Sequence, residues 1–302
     1  MSLLRPLLNQ YLRLTEKPHL RRAASPEVLR RSFETKARLF FHAPWSMQLT
    51  WDRLADAEAL WATPRRQPSD LTILYFHGGG YVFGSPRTHG AMLAALARHA
   101  GAQAVLPRYP LAPEHPFPAA LHHARAAYDA CRARDGALVI GGDSAGGGLA
   151  LSLLATLLAD GAPLPCAVFA LSPLTDLTFS GASIRDNAQS EVELPVERVD
   201  DMANMYLGGA ARDDPRASPL FADFTGAPPV WITAGDTELL VDDSRRMAAR
   251  LQGQGVDTTY VEERDLPHVW PIFQNTLPEA RATLSALATW IRAQTGARAP
   301  TR

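Results

Sequence analysis

A serine suited to nucleophilic chemistry lies at the centre of a glycine-rich turn. Residues 141–148 read Gly-Gly-Asp-Ser-Ala-Gly-Gly-Gly, and the serine is Ser144. The apolar run before them and the long apolar stretch after them predict a strand, a tight turn and a helix. Glycines let such a turn expose the serine hydroxyl, and free N–H groups at the start of the helix favour a negative charge there. We therefore predict that Ser144 is a nucleophile and that the N–H of Ala145 donates to an oxyanion.

A packing turn and a phosphate-binding loop are the alternative interpretations of these glycines. The spacing Gly-x-x-x-x-Gly-Lys-Ser/Thr is absent from the chain, and Asp143 inside the turn would repel a phosphate group. The strand and helix predicted on either side of the turn favour the nucleophilic serine over both alternatives.

A second glycine-rich segment supplies further backbone donors. The apolar run 71–76 predicts a buried strand, and it leads directly into His77, Gly78, Gly79 and Gly80. Consecutive glycines leave successive N–H groups uncovered by side chains, as an oxyanion hole requires. We expect Gly79 and Gly80 to be donors, with Gly78 as a weaker third candidate.

A third motif lies between the two glycine-rich segments, and the three motifs together form a specific pattern. Residues 109–120 read Tyr-Pro-Leu-Ala-Pro-Glu-His-Pro-Phe-Pro-Ala-Ala, between the His-Gly-Gly-Gly and Gly-Asp-Ser-Ala-Gly-Gly motifs. In this order the three motifs resemble the bacterial hormone-sensitive-lipase-like (family IV) esterases of the α/β-hydrolase fold. That family usually has arginine where Pro110 stands, so any ion pair made by the arginine must be absent or replaced here. The resemblance also implies that His77 holds the glycine loop in shape.

The histidine and the acid of the site follow from chain order. His268 comes after the last predicted strand and is the only histidine C-terminal to Ser144. Serine, then acid, then histidine is the order of the α/β-hydrolase topology. Aligning the acids after the strand that ends near residue 233 with the family pattern places Glu238 at the acid position, with Asp236 as the competitor. Asp176 resembles a structural turn residue of the family.

The resemblance implies the fold and the domain organisation. We expect one domain over residues 1–302, with a mostly parallel sheet of roughly eight strands flanked by helices. A small helical cap is expected from 1–43 and 178–225. Periodicity predicts two helices in 1–43, with the leucine stripe of the first packed against the protein's own body. Substrate-binding residues are expected near the cap, at Tyr81, Phe83, Met205, Tyr206 and Leu207.

Composition limits the partners that can be expected. The formal charge of −1, without runs of like charge, argues against nucleic acid or an anionic membrane as a partner. No apolar run approaches the roughly 20 residues that span a bilayer, and the two cysteines form no pattern of paired residues. We expect a cytoplasmic protein that needs no cofactor and no metal. The unpaired edge of the last strand predicts a homodimer.

These features together predict a carboxylesterase. The resemblance implies hydrolysis of short to medium acyl esters, with an acyl-enzyme formed by Ser144, His268 and Glu238. The same machinery could cleave an amide or a lactone. A non-catalytic binding protein of this fold is the third alternative, since the plant gibberellin receptors resemble the family but lack the histidine. The presence of His268 favours an enzyme.

Overall fold

The computed structural model of the protein describes residues 2–66 and 69–296. Its centre is an eight-stranded sheet with the order β1-β2-β4-β3-β5-β6-β7-β8. β2 runs antiparallel to β1 and β4, and the remaining neighbours are parallel. The strands are β1 (Met47–Leu54), β2 (Ala57–Pro64), β3 (Leu71–Phe76), β4 (Gln103–Pro107), β5 (Ala137–Asp143), β6 (Ala167–Leu171), β7 (Val230–Gly235) and β8 (Thr258–Glu263). The predicted mostly parallel sheet is confirmed.

Helices alternate with these strands and precede them. The helices are α1 (Leu4–Leu14), α2 (Glu16–Arg22), α3 (Pro26–Phe40), α4 (Pro86–Ala100), α5 (Ala119–Arg132), α6 (Ala145–Ala159), α7 (Ser183–Asp186), α8 (Val199–Leu207), α9 (Val241–Gly253) and α10 (Pro278–Thr295). Short 3₁₀ turns cover Val196–Arg198, Pro219–Phe221 and Trp270–Phe273. None of the helices within residues 2–66 and 69–296 is both long and apolar enough to cross a membrane.

Both faces of the sheet are covered, which explains the continuous apolar runs in its central strands. Ile73 and Tyr75 of β3 pack with α4 and α10, whereas Leu74 and Phe76 pack with α5, α6 and α9 on the opposite face. Alternate strand residues point to opposite faces, so a strand buried on both sides needs apolar residues throughout.

The carboxyl ends of the parallel strands carry the predicted site residues. His77 follows β3 and Ser144 follows β5, while Ser172, which the sequence analysis did not single out, follows β6. Glu238 lies in the loop after β7 and His268 in the loop after β8. The site therefore forms at one edge of the sheet, where ligands bind in open α/β sheets.

The N-terminal segment differs from its prediction in two ways. It contains three helices, because the first predicted helix breaks at Thr15 between α1 and α2. The leucine stripe of α1 is mostly exposed, with Leu3 87% and Leu7 67% exposed, while Leu12 is buried. The expected burial holds for Leu8 and Leu12 and fails for the rest of the stripe, since periodicity identifies an apolar face without showing what covers it.

Candidate active site

The turn after β5 holds Ser144 in a conformation rarely adopted by residues other than glycine. Its φ is +51° and its ψ is −122°, and it occupies the N-cap position of α6. The Ser144 N–H donates to the carbonyl of Leu171 at 2.8 Å, and its own carbonyl accepts from Leu174 N–H at 2.9 Å. A non-glycine residue with positive φ stores strain and persists only when its surroundings fix it. The turn has the geometry of a nucleophile elbow.

Glycine is required where α6 passes close to β3. A Cβ on Gly146 would lie 2.0 Å from the carbonyl oxygen of Phe76, and one on Gly142 would lie 2.1 Å from that of Gly146. These distances are far shorter than any van der Waals contact. The N-terminus of α6, with its partial positive charge, can therefore approach the end of the sheet closely.

His268 and Glu238 form a buried pair. The Nδ1 of His268 lies 2.6 Å from Oε2 of Glu238, and their side chains are 6% and 1% exposed. The other carboxylate oxygen, Oε1, accepts from the hydroxyl of Ser172 at 2.8 Å and from the N–H of Gly235 at 2.5 Å. With its orientation fixed by these donors, Glu238 holds the imidazole so that Nε2 is the nitrogen left for chemistry.

The charges around His268 favour its protonated form. Burial lowers the pKa of His268, but the Glu238 carboxylate and the nearby Glu191 and Glu193 outweigh it and raise that pKa to about 9. Its Nε2 is buried and makes no hydrogen bond with the described residues. Ser144 and His268 line the same cavity, although no hydrogen bond joins their side chains in this structure. Such contacts often tighten only when substrate binds.

The other acids near Glu238, one in the same loop and two in the first turn of α9, make different contacts. Asp236 accepts from the N–H of Asp265 at 2.7 Å. Asp242 accepts from the N–H of Ser183 at 2.9 Å, and Asp243 accepts from the N–H of Thr175 at 2.7 Å. Among these carboxylates, Glu238 is the one that contacts His268.

The glycine loop after β3 presents free donors. The N–H of Gly78 donates to Oδ1 of Asp143 at 3.0 Å, whereas no hydrogen bond among the described residues uses the N–H of Gly79 or Gly80. Nδ1 of His77 lies 2.8 Å from the carbonyl oxygen of Gly78, and Tyr109 donates its hydroxyl to the carbonyl of His77 at 2.7 Å. Gly79 and Gly80 both line the cavity that contains Ser144.

The sequence analysis missed a buried network behind the loop. Asp143 accepts from the hydroxyl of Tyr75 at 2.7 Å, and its Oδ2 lies 3.2 Å from Nε2 of His89. Burial raises the pKa of Asp143, but His89 and Tyr75 outweigh it and lower the pKa. The ionised Asp143 therefore ties the serine turn to Gly78 of the glycine loop.

The cavity above Ser144 has a volume of about 390 Å³. Tyr81 and Phe83 line it as predicted, whereas Met205, Tyr206 and Leu207 do not. Tyr206 is buried and stacks on Tyr81 with ring centroids 3.6 Å apart.

The face that α8 turns to the cavity explains this correction. Val199, Met202 and Ala203 line the cavity, at the i, i+3 and i+4 positions of one helix face. Tyr206 and Leu207 are buried in the core and do not line the cavity. The helix named in the prediction does line the cavity, but through a different face from the one that carries Met205, Tyr206 and Leu207.

Other contacts that support the site also escaped the sequence analysis. Ser172 holds Glu238, and Glu191 accepts from the N–H of Leu239 at 3.1 Å beside it. Arg30 pairs with Glu114 at 2.7 Å, which provides Glu114 of the third motif with an ion pair although Pro110 replaces the usual arginine. No set of three or more His, Cys, Asp or Glu side chains that could hold a metal ion occurs in the described part of the chain.

The sheet, the serine turn and the order of the loops define an α/β-hydrolase, and a family model described as the alpha/beta hydrolase fold matches residues 73–272. An acetyl-hydrolase of Streptomyces hygroscopicus is 38% identical over 241 residues, covering 79% of this chain and 80% of the relative. An esterase of Acinetobacter venetianus is 32% identical over 270 residues, covering 87% of this chain and 88% of the relative.

A solved structure agrees with these relatives. The crystal structure of an esterase from the bacterial hormone-sensitive lipase family has a TM-score of 0.92 and 35% identity, covering 98% of this chain and 99% of that one. The chain therefore belongs to the bacterial hormone-sensitive-lipase-like family of α/β-hydrolases. It is a carboxylic ester hydrolase.

Proposed function

We propose that this esterase hydrolyses short to medium acyl esters through an acyl-enzyme on Ser144, with His268 as the base and Glu238 as its partner. The observation that carries the proposal is the 2.6 Å contact between Nδ1 of His268 and Oε2 of Glu238. This contact leaves the imidazole with a free Nε2 in the cavity that Ser144 also lines. A non-catalytic binding protein of this fold would not require the pair of His268 and Glu238.

The reaction proceeds in two halves. The neutral imidazole of His268 takes the proton of the Ser144 hydroxyl as its oxygen attacks the ester carbonyl. The N–H groups of Gly79, Gly80 and Ala145 stabilise the resulting oxyanion. When the tetrahedral intermediate collapses, the ester C–O bond breaks and the alcohol leaves with the proton from His268. A water molecule then repeats the sequence on the acyl-enzyme and releases the acid.

Two observations support the acyl-length preference. Phe83 and Met202 are bulky residues that line the same cavity as Ser144. The Streptomyces relative bears the name acetyl-hydrolase, an activity on a short acyl group. The helical segments 1–43 and 178–225, here called the cap segments, contribute Leu29, Phe33 and Met202 to the same lining. We propose that they form a cap that sets the acyl length.

A rate series with p-nitrophenyl esters of increasing acyl length tests this function. We expect kcat/KM to be highest between about C2 and C8 and to fall toward C16 because the lining is bulky. A continued rise from C8 through C16 would contradict the preference and indicate a lipase. A p-nitroanilide of butyric acid, measured in parallel, distinguishes an amidase.

The Ser144→Ala variant tests the nucleophile. It is expected to fold normally and to lose nearly all turnover, and a phosphonate ester is expected to label Ser144 of the wild type. Retention of wild-type turnover by Ser144→Ala would contradict the proposed mechanism.

A further inference from the structure

Polar atoms of Glu193 and His19, like Nε2 of His268, lie in the cavity lining without a hydrogen bond to the described residues. Glu193 lies between α7 and α8 and lines the cavity, and its Oε2 is buried without a hydrogen bond to any described residue. His19 of α2 also lines the cavity, and its Nε2 is likewise buried and unpartnered. An unsatisfied buried polar atom is destabilising, so such atoms in a ligand cavity indicate a place for a hydrogen-bonding group.

The backbone around Glu193 is held in place from two sides. Its N–H donates to Oε1 of Glu191 at 2.8 Å, and Oε2 of Glu191 accepts from Leu239 N–H beside Glu238. On the other side, Nη1 of Arg198 donates at 3.1 Å to the carbonyl of Ala23, the residue after α2. Glu193 is thus anchored to the loop of the proposed triad acid, and the segment that carries it is tied to α2, which bears His19.

Glu193 and His19 are unpartnered polar side chains in a cavity lining that is largely apolar. Much of the cavity lining is apolar and includes Leu12, Leu29, Phe33, Phe83, Met202 and Ile272. Glu16, another acid of the lining, already has a partner in Lys36 at 2.8 Å. A polar group placed within an apolar pocket discriminates strongly between ligands that can and cannot hydrogen-bond to it.

The protonation of Glu193 determines which group it would bind. Burial raises the pKa of Glu193 to about 8, although the charge of His268 opposes it, and the neighbouring Glu191, Glu16 and Glu238 add to the rise. At neutral pH the side chain is then an uncharged carboxyl group, which donates one hydrogen bond and accepts others. A hydroxyl group has the complementary capacity.

We infer that Glu193, together with His19, forms a polar subsite that binds a neutral hydroxyl group of the substrate, so that the enzyme favours hydroxylated esters. The inference rests on the proposed function, because the subsite belongs to the same cavity as Ser144 and His268. It adds a substrate class to that function and assigns no chemical step to Glu193.

The test compares matched esters that differ by hydroxyl groups. For the alcohol side the pair is 1-monobutyrin and propyl butyrate; for the acyl side it is ethyl 3-hydroxybutyrate and ethyl butyrate. The value of kcat/KM for each is measured by pH-stat titration of the released acid. In at least one pair, we expect Glu193→Leu to reduce the ratio of hydroxylated to plain ester by about tenfold. Glu193→Gln should retain most of the ratio, because its amide both donates and accepts.

A matched control separates this effect from the general effect of replacing a glutamate of this segment with leucine. Glu197 is an exposed acid of the same segment and lies outside the cavity lining. We expect Glu197→Leu to leave both ratios unchanged. His19→Phe removes the second unpartnered atom and is expected to lower the same ratio as Glu193→Leu, which provides a test even if the latter variant does not fold.

Three outcomes would overturn the inference. Unchanged ratios in Glu193→Leu and His19→Phe, with propyl butyrate still hydrolysed, would exclude the subsite and leave the esterase function intact. A parallel loss of plain and hydroxylated esters would show that Glu193 supports the fold or catalysis. A preference for butyrylcholine over 3,3-dimethylbutyl butyrate that Glu193→Leu abolishes, without a hydroxyl effect, would identify a cation subsite. Failure of the wild type on all these esters would instead contradict the proposed function.

Discussion

The imidazole of His268 takes its orientation from one carboxylate among several nearby. Glu238 contacts Nδ1 at 2.6 Å and is itself held by Ser172 and Gly235. Asp236 lies two residues earlier, and its Oδ1 accepts a hydrogen bond from the N–H of Asp265. The extra methylene of glutamate allows its carboxylate to reach the histidine from this position in the loop.

Substitution of the two competing acids distinguishes their roles. We expect Glu238→Gln to reduce kcat on p-nitrophenyl butyrate by on the order of 10³-fold, because the amide no longer stabilises the imidazolium. Asp236→Asn should reduce kcat far less, since it loses a loop contact only. Circular dichroism checks that both variants fold. The opposite ranking would assign the acid role to Asp236.

The raised pKa of His268 predicts an alkaline pH profile. This pKa is about 9, above the ordinary value of 6.5, so the imidazole retains its proton at neutral pH. Only the neutral imidazole can accept the proton of Ser144, so kcat/KM should rise with pH toward 9. Initial rates on p-nitrophenyl butyrate, corrected with Ser144→Ala for spontaneous hydrolysis, measure the profile.

A variant of a neighbouring acid provides the control for this profile. Glu191 raises the pKa of His268 through its charge. We expect Glu191→Gln to move the rising limb of the profile to lower pH, because the protonated imidazole loses a favourable charge. A profile that is flat from pH 6 to 9 in the wild type would contradict the assignment of His268 as the base.

At the scale of elements, the close approach of α6 to β3 positions Ser144, the proposed nucleophile. The helix starts directly at the end of β5, and its glycines face backbone atoms of neighbouring segments. Asp143 then connects this turn to the glycine loop through Gly78. The proposed nucleophile and the proposed oxyanion donors are thus fixed relative to each other by backbone contacts and one buried carboxylate.

This packing predicts a strong effect at Gly146. A Cβ there would lie 2.0 Å from the carbonyl oxygen of Phe76, so Gly146→Ala should lower the free energy of unfolding by about 3 kcal/mol. In the control Gly253→Ala, at the end of α9, a Cβ meets nothing within 4 Å and should raise it by about 0.5 kcal/mol. Urea unfolding followed by circular dichroism measures both. Equal stability of the two variants would contradict the close approach of α6 and β3.

At the scale of the whole molecule, β8 is the strand at one edge of the sheet. It pairs with β7 on one side only. Its residues are partly or fully exposed along the strand. An unpaired strand edge offers backbone donors and acceptors to another chain, and a second copy of the same chain is the commonest partner.

We therefore predict a homodimer that pairs through β8. Light scattering coupled to size exclusion should give twice the monomer mass at micromolar concentration. We expect the dimer to dissociate into monomers when the protein is diluted below the dissociation constant of the dimer. A monomer mass at micromolar concentration would contradict the prediction.

The sequence by itself determined the local features of this protein and their order. Apolar runs next to glycines specify strand, turn and helix, because a turn such as that at Ser144 tolerates few other residues around it. The order of Ser144, the acid-bearing loop and His268 can be read directly from the sequence, because it is the order of these residues along the chain. These features sufficed to predict the sheet and to identify the family.

Tertiary structure alone decided which side chains meet. Asp143 and His89 belong to separate elements, so no local sequence pattern predicts their contact. The choice of Met202 over Met205 in the cavity depends on how α8 rotates against the core. The family pattern already favoured Glu238 over Asp236, but the contact of its carboxylate with His268 is visible only in the folded structure. In each case the deciding quantity is the direction of a side chain, which is set by packing between residues distant in sequence.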